Sequence, residues 1–509
     1  MTSARVIDPS AARATALRVA PVVPDLVMLA GVALAASAAF LLVHRALIDD
    51  AYITMTYARN LAFHLHWGLI ADETANSATS PLNVILLGAI TFVLRNAQVA
   101  VGVLFVASVV LATRWLTTLT TLLGLSRATP YVGVALLLLN PLLLSTVGLE
   151  SYLVATLAIG LLRFGAEGRC TAFGVVSGLA FLARPDLAVV VLVAAVGFPG
   201  IRRRVVRAFA VAALVAGPWH LWTWFVLGSA LPDTLIMKAG SPTWAGFGYW
   251  DGALLYWRGT PIATALAFLP VLLGAAALLV VLMARLFGHR DAAHRTAAVA
   301  GVGAAAHYFA YCVLSTPPYH WYYAPLISGM TVCAVLVLGR VLARWPEVRL
   351  RLLAAAGFVV AVVLGFAMAW FDADHGTPWL RAPISTNWAT TAQYERIGDD
   401  LRGLVGAGTV ESPGEIGTLA YYCECRIVDP FSDRGRVLGA IEAREEQSGW
   451  LARTLIRLNY LHLDRTQQPR PLDARLVFQR GATPAGALQW PAYQWAEGPG
   501  RMVLLPGAG

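Results

Sequence analysis

The feature that most limits what this chain can become is a succession of apolar runs, many of crossing length, between residues 25 and 371. A helix rises about 1.5 Å per residue, so roughly 20 apolar residues match a hydrocarbon core about 30 Å thick. That many runs are satisfied by lipid rather than by burial against one another in water. Composition agrees. Charged residues make up 13% of the 509 and the apolar set 58%, where a soluble domain carries about 25% charge. Residues 372–509 depart from this pattern, with charge at an ordinary soluble density. The chain therefore divides into a short cytoplasmic segment 1–24, a transmembrane unit 25–371 and a domain 372–509 outside the membrane.

The net charge of +9 does not point to nucleic acid, because its arginines cluster in short loops between apolar runs. That distribution is the positive-inside pattern. With the N-terminus inside, residues 25–43 form an uncleaved first crossing and deliver loop 44–80 to the outer face. The run 81–94 has 14 residues, which span only about 21 Å as a helix, so it is expected to lie in or dip into the outer interface. Crossings are then expected at 97–123, 129–147 and 151–166. A hairpin of two short halves, 171–183 and 186–199, has Arg184-Pro185-Asp186 at its tip. Further crossings follow at 205–228, 261–284, 296–314, 321–342 and 350–371. The total is about eleven, and every strongly basic loop falls on one side.

The tail reads as a small α/β unit. Strands are expected at 409–411, 426–428, 474–478 and 502–505, with a helical turn near 414–421 and a helix over 438–460. Five cysteines make no disulfide framework, and Cys423 and Cys425 stand too close in sequence to bridge each other easily.

The strongest local signal for chemistry is Ile48-Asp49-Asp50-Ala51-Tyr52, just after the first crossing. One reading makes Asp49 or Asp50 the N-cap of a helix over 51–65. The other makes one of them a general base. Helical spacing puts Asp49, Tyr52, Thr56 and Arg59 on one face, and Asp50, Ile53, Thr54 and Tyr57 on another. Arg184, at the tip of a hairpin too short to span, lies where an isolated charge is costly and needs a partner. A lipid phosphate is one such partner and Asp186 is another. In the long loop, Trp244, Phe247, Tyr249, Trp250, Tyr256 and Trp257 suit either sugar stacking or anchoring at the lipid interface.

The stretches IDDAYITMTYARN, NSATSPLNVILLGA, GLES and FLARPDLA, taken in order, resemble the GT-C superfamily of polyprenyl-phosphate-sugar glycosyltransferases. Within it they are most similar to the bacterial group of terminal arabinofuranosyltransferases, which includes a mycobacterial enzyme. Leu231-Pro232-Asp233-Thr234 with Lys238, Gly414 to Tyr421, and Ile427-Val428-Asp429 extend the likeness over most of the chain. The resemblance implies an α-helical polytopic membrane enzyme with a small extracytoplasmic C-terminal α/β domain. It implies Asp50 or Asp49 as catalytic base, with Glu150 orienting acceptor hydroxyls or an ion. It assigns Arg184, Lys238 and His320 to the donor phosphate, and Tyr52, Tyr57, Arg59 and Ser80 to substrate. The partners implied are a polyprenyl-phosphate-sugar donor, with D-arabinofuranose or a hexose such as mannose as the sugar, and a cell-envelope glycan or glycosylated acceptor. No nucleic acid is implied. Metal use stays open, since some relatives carry a divalent cation near their acidic residues. A transporter or flippase is the rival class; the chain shows no internal repeat of the kind such proteins carry.

Overall fold

Long apolar stretches in this chain fold as helices, and Val205–Val226 and Pro261–Leu286 run through the internal Pro218 and Pro270. The computed structural model describes residues 26–238, 243–288, 291–344, 348–412, 414–494 and 498–507; the segment 1–24 lies outside the described residues. Seven described helices are long and apolar enough to cross a membrane: Leu26–Val43, Ala97–Leu122, Val205–Val226, Pro261–Leu286, Ala292–Val313, His320–Ala343 and Ala355–Asp374. The remaining expected crossings are shorter. Ser151–Glu167 has 17 residues, and the hairpin halves Cys170–Ala183 and Ala188–Gly197 have 14 and 10.

The segment 129–147 does not form one crossing. It breaks into Thr129–Leu138 and Pro141–Leu144. Pro141 has no N–H to continue the helix, and the Asn140 side chain caps the new start by accepting from the N–H groups of Leu142 and Leu143. Its amide donates to the Ala267 carbonyl at 3.1 Å, tying the break to a neighbouring span. After it comes Gly148, at φ +99, with its Cα face so close to Ala51 that a Cβ would sit 2.7 Å from the Ala51 Cβ. Only glycine combines that backbone with that approach.

Among its described residues the long loop 229–260 carries two short helices, Asp233–Lys238 and Gly252–Gly259. Its buried tyrosines knit it to the 317–325 loop. The Tyr249 hydroxyl donates to the Tyr322 carbonyl at 2.8 Å, Tyr256 to Pro318 at 2.7 Å, and Tyr323 back to Tyr249 at 2.7 Å. Trp250 and Trp257 face outward, 71% and 51% exposed, as interface anchors do.

The tail is a five-stranded mixed sheet in the order β2-β1-β3-β5-β4. β1 (Thr409–Glu411) pairs in parallel with β2 (Arg426–Val428) and β3 (Ala474–Gln479); β5 (Gly498–Pro506) runs antiparallel to β3 and to β4 (Gln489–Gln494). Strand β4 and the helix Thr391–Val405, which starts in a capping box of Thr390 and Gln393, were not anticipated from sequence. The expected helix over 438–460 is two helices, Arg434–Gln447 and Trp450–Asn459, parted at Ser448-Gly449. Cys423 and Cys425 are joined by a disulfide, contrary to expectation. Glu424 between them takes a left-handed φ of +55, which turns the chain back and brings the two Cα atoms to 5.1 Å.

Loop 44–80 is held between the helix bundle and this tail. Its acidic residues face tail arginines: Asp72 pairs with Arg426 at 2.8 Å, and Glu73 with Arg470 at 2.5 Å. Arg434, 5% exposed, reaches past them to the fully buried Asp233 at 3.0 Å.

Candidate active site

The adjacent carboxylates Asp49 and Asp50 open the helix Asp49–His64, and the structure separates them. Neither caps its own helix, whose N-cap is Ile48 with no side-chain bond. Asp49 instead caps a helix of the tail. Its carboxylate accepts the backbone N–H groups of Ile416, Gly417 and Thr418 at 2.9, 2.9 and 2.8 Å. These are free donors at the start of Gly417–Cys423. Burial pushes the Asp49 carboxyl up to about 6, against the three N–H bonds that favour its anion. Beside it, Glu415 accepts from the Trp388 N–H and the Tyr394 hydroxyl; burial and the nearby Asp49 push its carboxyl well up.

Asp50 is half-buried, and among the described residues its carboxylate makes no ion pair and takes no hydrogen bond from another side chain. Burial raises its carboxyl, and the nearby Lys238 ammonium works the other way. Lys238 ends the helix Asp233–Lys238 with its Nζ 5.1 Å from the Tyr319 ring and 5.6 Å from the Phe431 ring. Burial would lower its basicity, but Tyr322, Asp50, Tyr319 and Asp429 together hold it above its ordinary value. Asp429 follows β2, with one oxygen held by the N–H groups of Phe431 and Ser432. The tail thus brings both an aromatic face and a carboxylate to Lys238.

Lys238 shares a cavity with Glu150, Arg184, Asp186, Tyr311 and Tyr322. Arg184, 5% exposed, sits between two acids, with Glu150 at 3.3 Å and Asp186 at 3.1 Å. Its third contact is a donated bond to the Tyr311 hydroxyl at 2.6 Å. Asp186 takes a second partner, His307 Nε2, at 2.5 Å. A buried arginine with this many partners is paired and oriented before any ligand arrives.

The structure therefore gathers Asp50, Glu150, Arg184 and Lys238 around one region and sends other candidates elsewhere. Tyr52 is fully buried against the rings of Tyr421 and Tyr422. Arg59 pairs with Glu424 at 3.1 Å and lies over the Tyr421 ring. The Tyr57 hydroxyl bonds Ser77 at 2.6 Å and the Ala75 carbonyl at 3.0 Å. All three brace the loop or its seam with the tail. Ser80 is buried just before Pro81–Leu94, its hydroxyl without a partner among the described residues. His320 is fully buried, edge-on to Tyr256 and Trp321, with neither ring nitrogen hydrogen-bonded among the described residues. It does not line the cavity that holds Arg184 and Lys238. Sequence reasoning missed His307 and Tyr311. Their spacing of four, which stacks the two rings 4.7 Å apart, was the available signal. Among the described residues no three His, Cys, Asp or Glu side chains gather as a metal-holding group.

The helical bundle, the folded first loop, the short hairpin with its buried arginine and the α/β tail together make a GT-C-like fold. Solved structures bear this out. ArnT from Cupriavidus metallidurans bound to undecaprenyl phosphate superposes with a TM-score of 0.56 at 14% identity, over 94% of this chain and 97% of that one. The apo form of the same protein gives 0.54 at 15% identity, over 94% and 97%. The Archaeoglobus fulgidus oligosaccharyltransferase tethered to an acceptor peptide containing the NVT sequon gives 0.56 at 13% identity, over 89% of this chain and 69% of that one. No family model and no curated protein matches the sequence.

Proposed function

We propose that this protein is a membrane glycosyltransferase that takes a sugar from a polyprenyl-phosphate donor. The observation that carries the reading is that Lys238, which shares a cavity with Arg184, also faces Asp50, a carboxylate with no ion pair among the described residues. The bound undecaprenyl phosphate of the ArnT structure supports a lipid-phosphate donor. The positive-inside pattern supports a site and tail on the non-cytoplasmic face.

In this reading the Asp50 carboxylate accepts the proton of an acceptor hydroxyl. The freed oxygen attacks the anomeric carbon while the bond from that carbon to the phosphate oxygen breaks. The electron pair leaves with the polyprenyl monophosphate, and the configuration inverts. Lys238 and Arg184 offset the charge that collects on the leaving phosphate. Glu150 and Asp186 hold the Arg184 fork in place; Glu150 also faces the cavity where an acceptor hydroxyl would be oriented. The sequence likeness favours D-arabinofuranose as the sugar and a cell-envelope glycan as acceptor, with mannose or another hexose as the second reading.

The test is transfer by the purified full chain in nanodiscs, comparing synthetic polyprenyl-phosphate arabinofuranose and mannose donors. Arabinose transfer lost in Asp50→Asn supports both mechanism and sugar. Mannose transfer alone keeps the mechanism and discards the sugar. Undiminished transfer by Asp50→Asn overturns the base.

A further inference from the structure

A second cavity lies at the opposite end of the bundle. It is walled by the helices Pro261–Leu286, Ala292–Val313 and Ala324–Arg344 and has a volume of about 480 Å³. On the helix Ala292–Val313, His294 faces this cavity and Tyr311 faces the donor cavity. Seventeen residues of helix separate the two by about 25 Å.

The walls are apolar: Val280, Ala284, Ala297 and Leu336 line them. One wall is the lipid-facing surface of Pro261–Leu286, where Val280 and the lining residue Phe287 are 59% and 75% exposed. An occupant would therefore arrive sideways from the bilayer. The rim is cationic. Arg340 Nε lies 2.9 Å from Asp291 Oδ2, and His294 Nδ1 lies 2.8 Å from Asp291 Oδ1, so this carboxylate faces at least two bases. Arg285, next to the lining residue Ala284, has a buried Nη1 with no hydrogen-bond partner among the described residues. Apolar walls of ligand-cavity size, a lateral opening and a rim with surplus positive charge are complementary to one class of molecule.

We propose that this cavity binds an anionic phospholipid, with an acyl chain along the Ala284–Leu336 walls and the phosphate at Arg340 and His294. The lipid ties together three helices. Two of them lead, at their other ends, to Tyr311 and Tyr322, which border Arg184. The site stands apart from the donor cavity, and its test does not depend on transfer activity.

The full chain, purified in detergent, is titrated with a short-chain phosphatidylglycerol, the matching phosphatidylcholine and inorganic phosphate. Binding is read by native mass spectrometry and by the thermal midpoint. Phosphatidylglycerol is expected to bind about tenfold tighter than phosphatidylcholine, as cationic side chains at a headgroup provide, and to raise the midpoint. Inorganic phosphate is expected to do neither. Ala284→Phe fills the cavity from its exposed wall and should abolish the lipid-induced shift while unfolding stays cooperative. Arg340→Gln should bring the two lipids near parity. Equal binding of both lipids to the wild type, an undiminished shift in Ala284→Phe, or the same shift from inorganic phosphate alone would overturn the proposal. Should Arg340→Gln fail to fold, the headgroup comparison and Ala284→Phe still decide it.

Discussion

The Oδ2 atom of Asp49 accepts the backbone N–H of Gly417 at 2.9 Å, a contact that closes 368 residues of chain. Asp50, the next residue, takes no part in it. Two neighbours in sequence thus hold different offices, and substitution should separate them. Asp49→Ala leaves three N–H groups without their acceptor and should cost about 1–3 kcal/mol of stability. Asp50→Asn should leave the unfolding midpoint near wild type yet reduce transfer by at least about a hundredfold. Thermal unfolding and turnover, measured on both variants, give the comparison; a stable Asp49→Ala protein would remove the cap from the account.

Gly417 admits no side chain. A Cβ there would lie 2.0 Å from the Asp49 carbonyl oxygen and 2.7 Å from the Ile53 nitrogen, both backbone atoms that have little room to give. Gly417→Ala should therefore force the tail away from the first loop, costing about 3 kcal/mol and most of the activity. Limited proteolysis of the tail beside wild type reads the loosening, and equal resistance would count against it.

The two cations near the cavity differ in how they are held, so they should fail differently. Lys238 has no ion pair among the described residues, and Lys238→Met should raise the KM for lipid donor about tenfold or more with the midpoint unchanged. Arg184→Ala strands Glu150 as a buried charge and leaves Asp186 only His307, and should lower the midpoint as well as donor binding. Donor titrations at saturating acceptor distinguish the two. Equal effects on donor and acceptor KM would speak against a phosphate role.

Burial raises the carboxyl of Asp50. A base is inactive when protonated, so kcat/KM should rise with pH through that raised value, with its midpoint above the ordinary carboxylate range near about 4. Lys238 is held above its ordinary value, so no loss of activity from its deprotonation is expected below about pH 10. A pH–rate profile that is flat from about pH 4 to neutrality would exclude Asp50 as the titrating base.

Much of the membrane unit could be read from sequence because hydropathy and the placement of arginine are local signals. The break at Asn140-Pro141 was also local, since Pro141 cannot continue a helix, but the length of the surrounding apolar run concealed it. The site was legible by residue type and not by role. Helical spacing sets Asp49 and Asp50 on different faces without saying which face the tail covers. That information lies in Gly417–Cys423, which packs on the Asp49 side and turns Tyr52 and Arg59 into seam residues. His307 and Tyr311 were lost inside an apolar run because neither breaks its hydropathy. Cys423 and Cys425 misled by their spacing; the left-handed turn at Glu424 depends on the fold around it.

The Asp49 cap also bears on the order in which the protein is made. Loop 44–80 emerges early in synthesis, but the N–H groups that Asp49 needs belong to Ile416, Gly417 and Thr418. Asp429 and Phe431, which flank Lys238, come later still. A nascent chain inserted up to its last crossing would carry Asp50 and Arg184 yet lack the surfaces that seat the loop. On the proposed function, competence would arrive only once the tail has folded back, and half-made chains would be silent towards lipid donors in the same membrane.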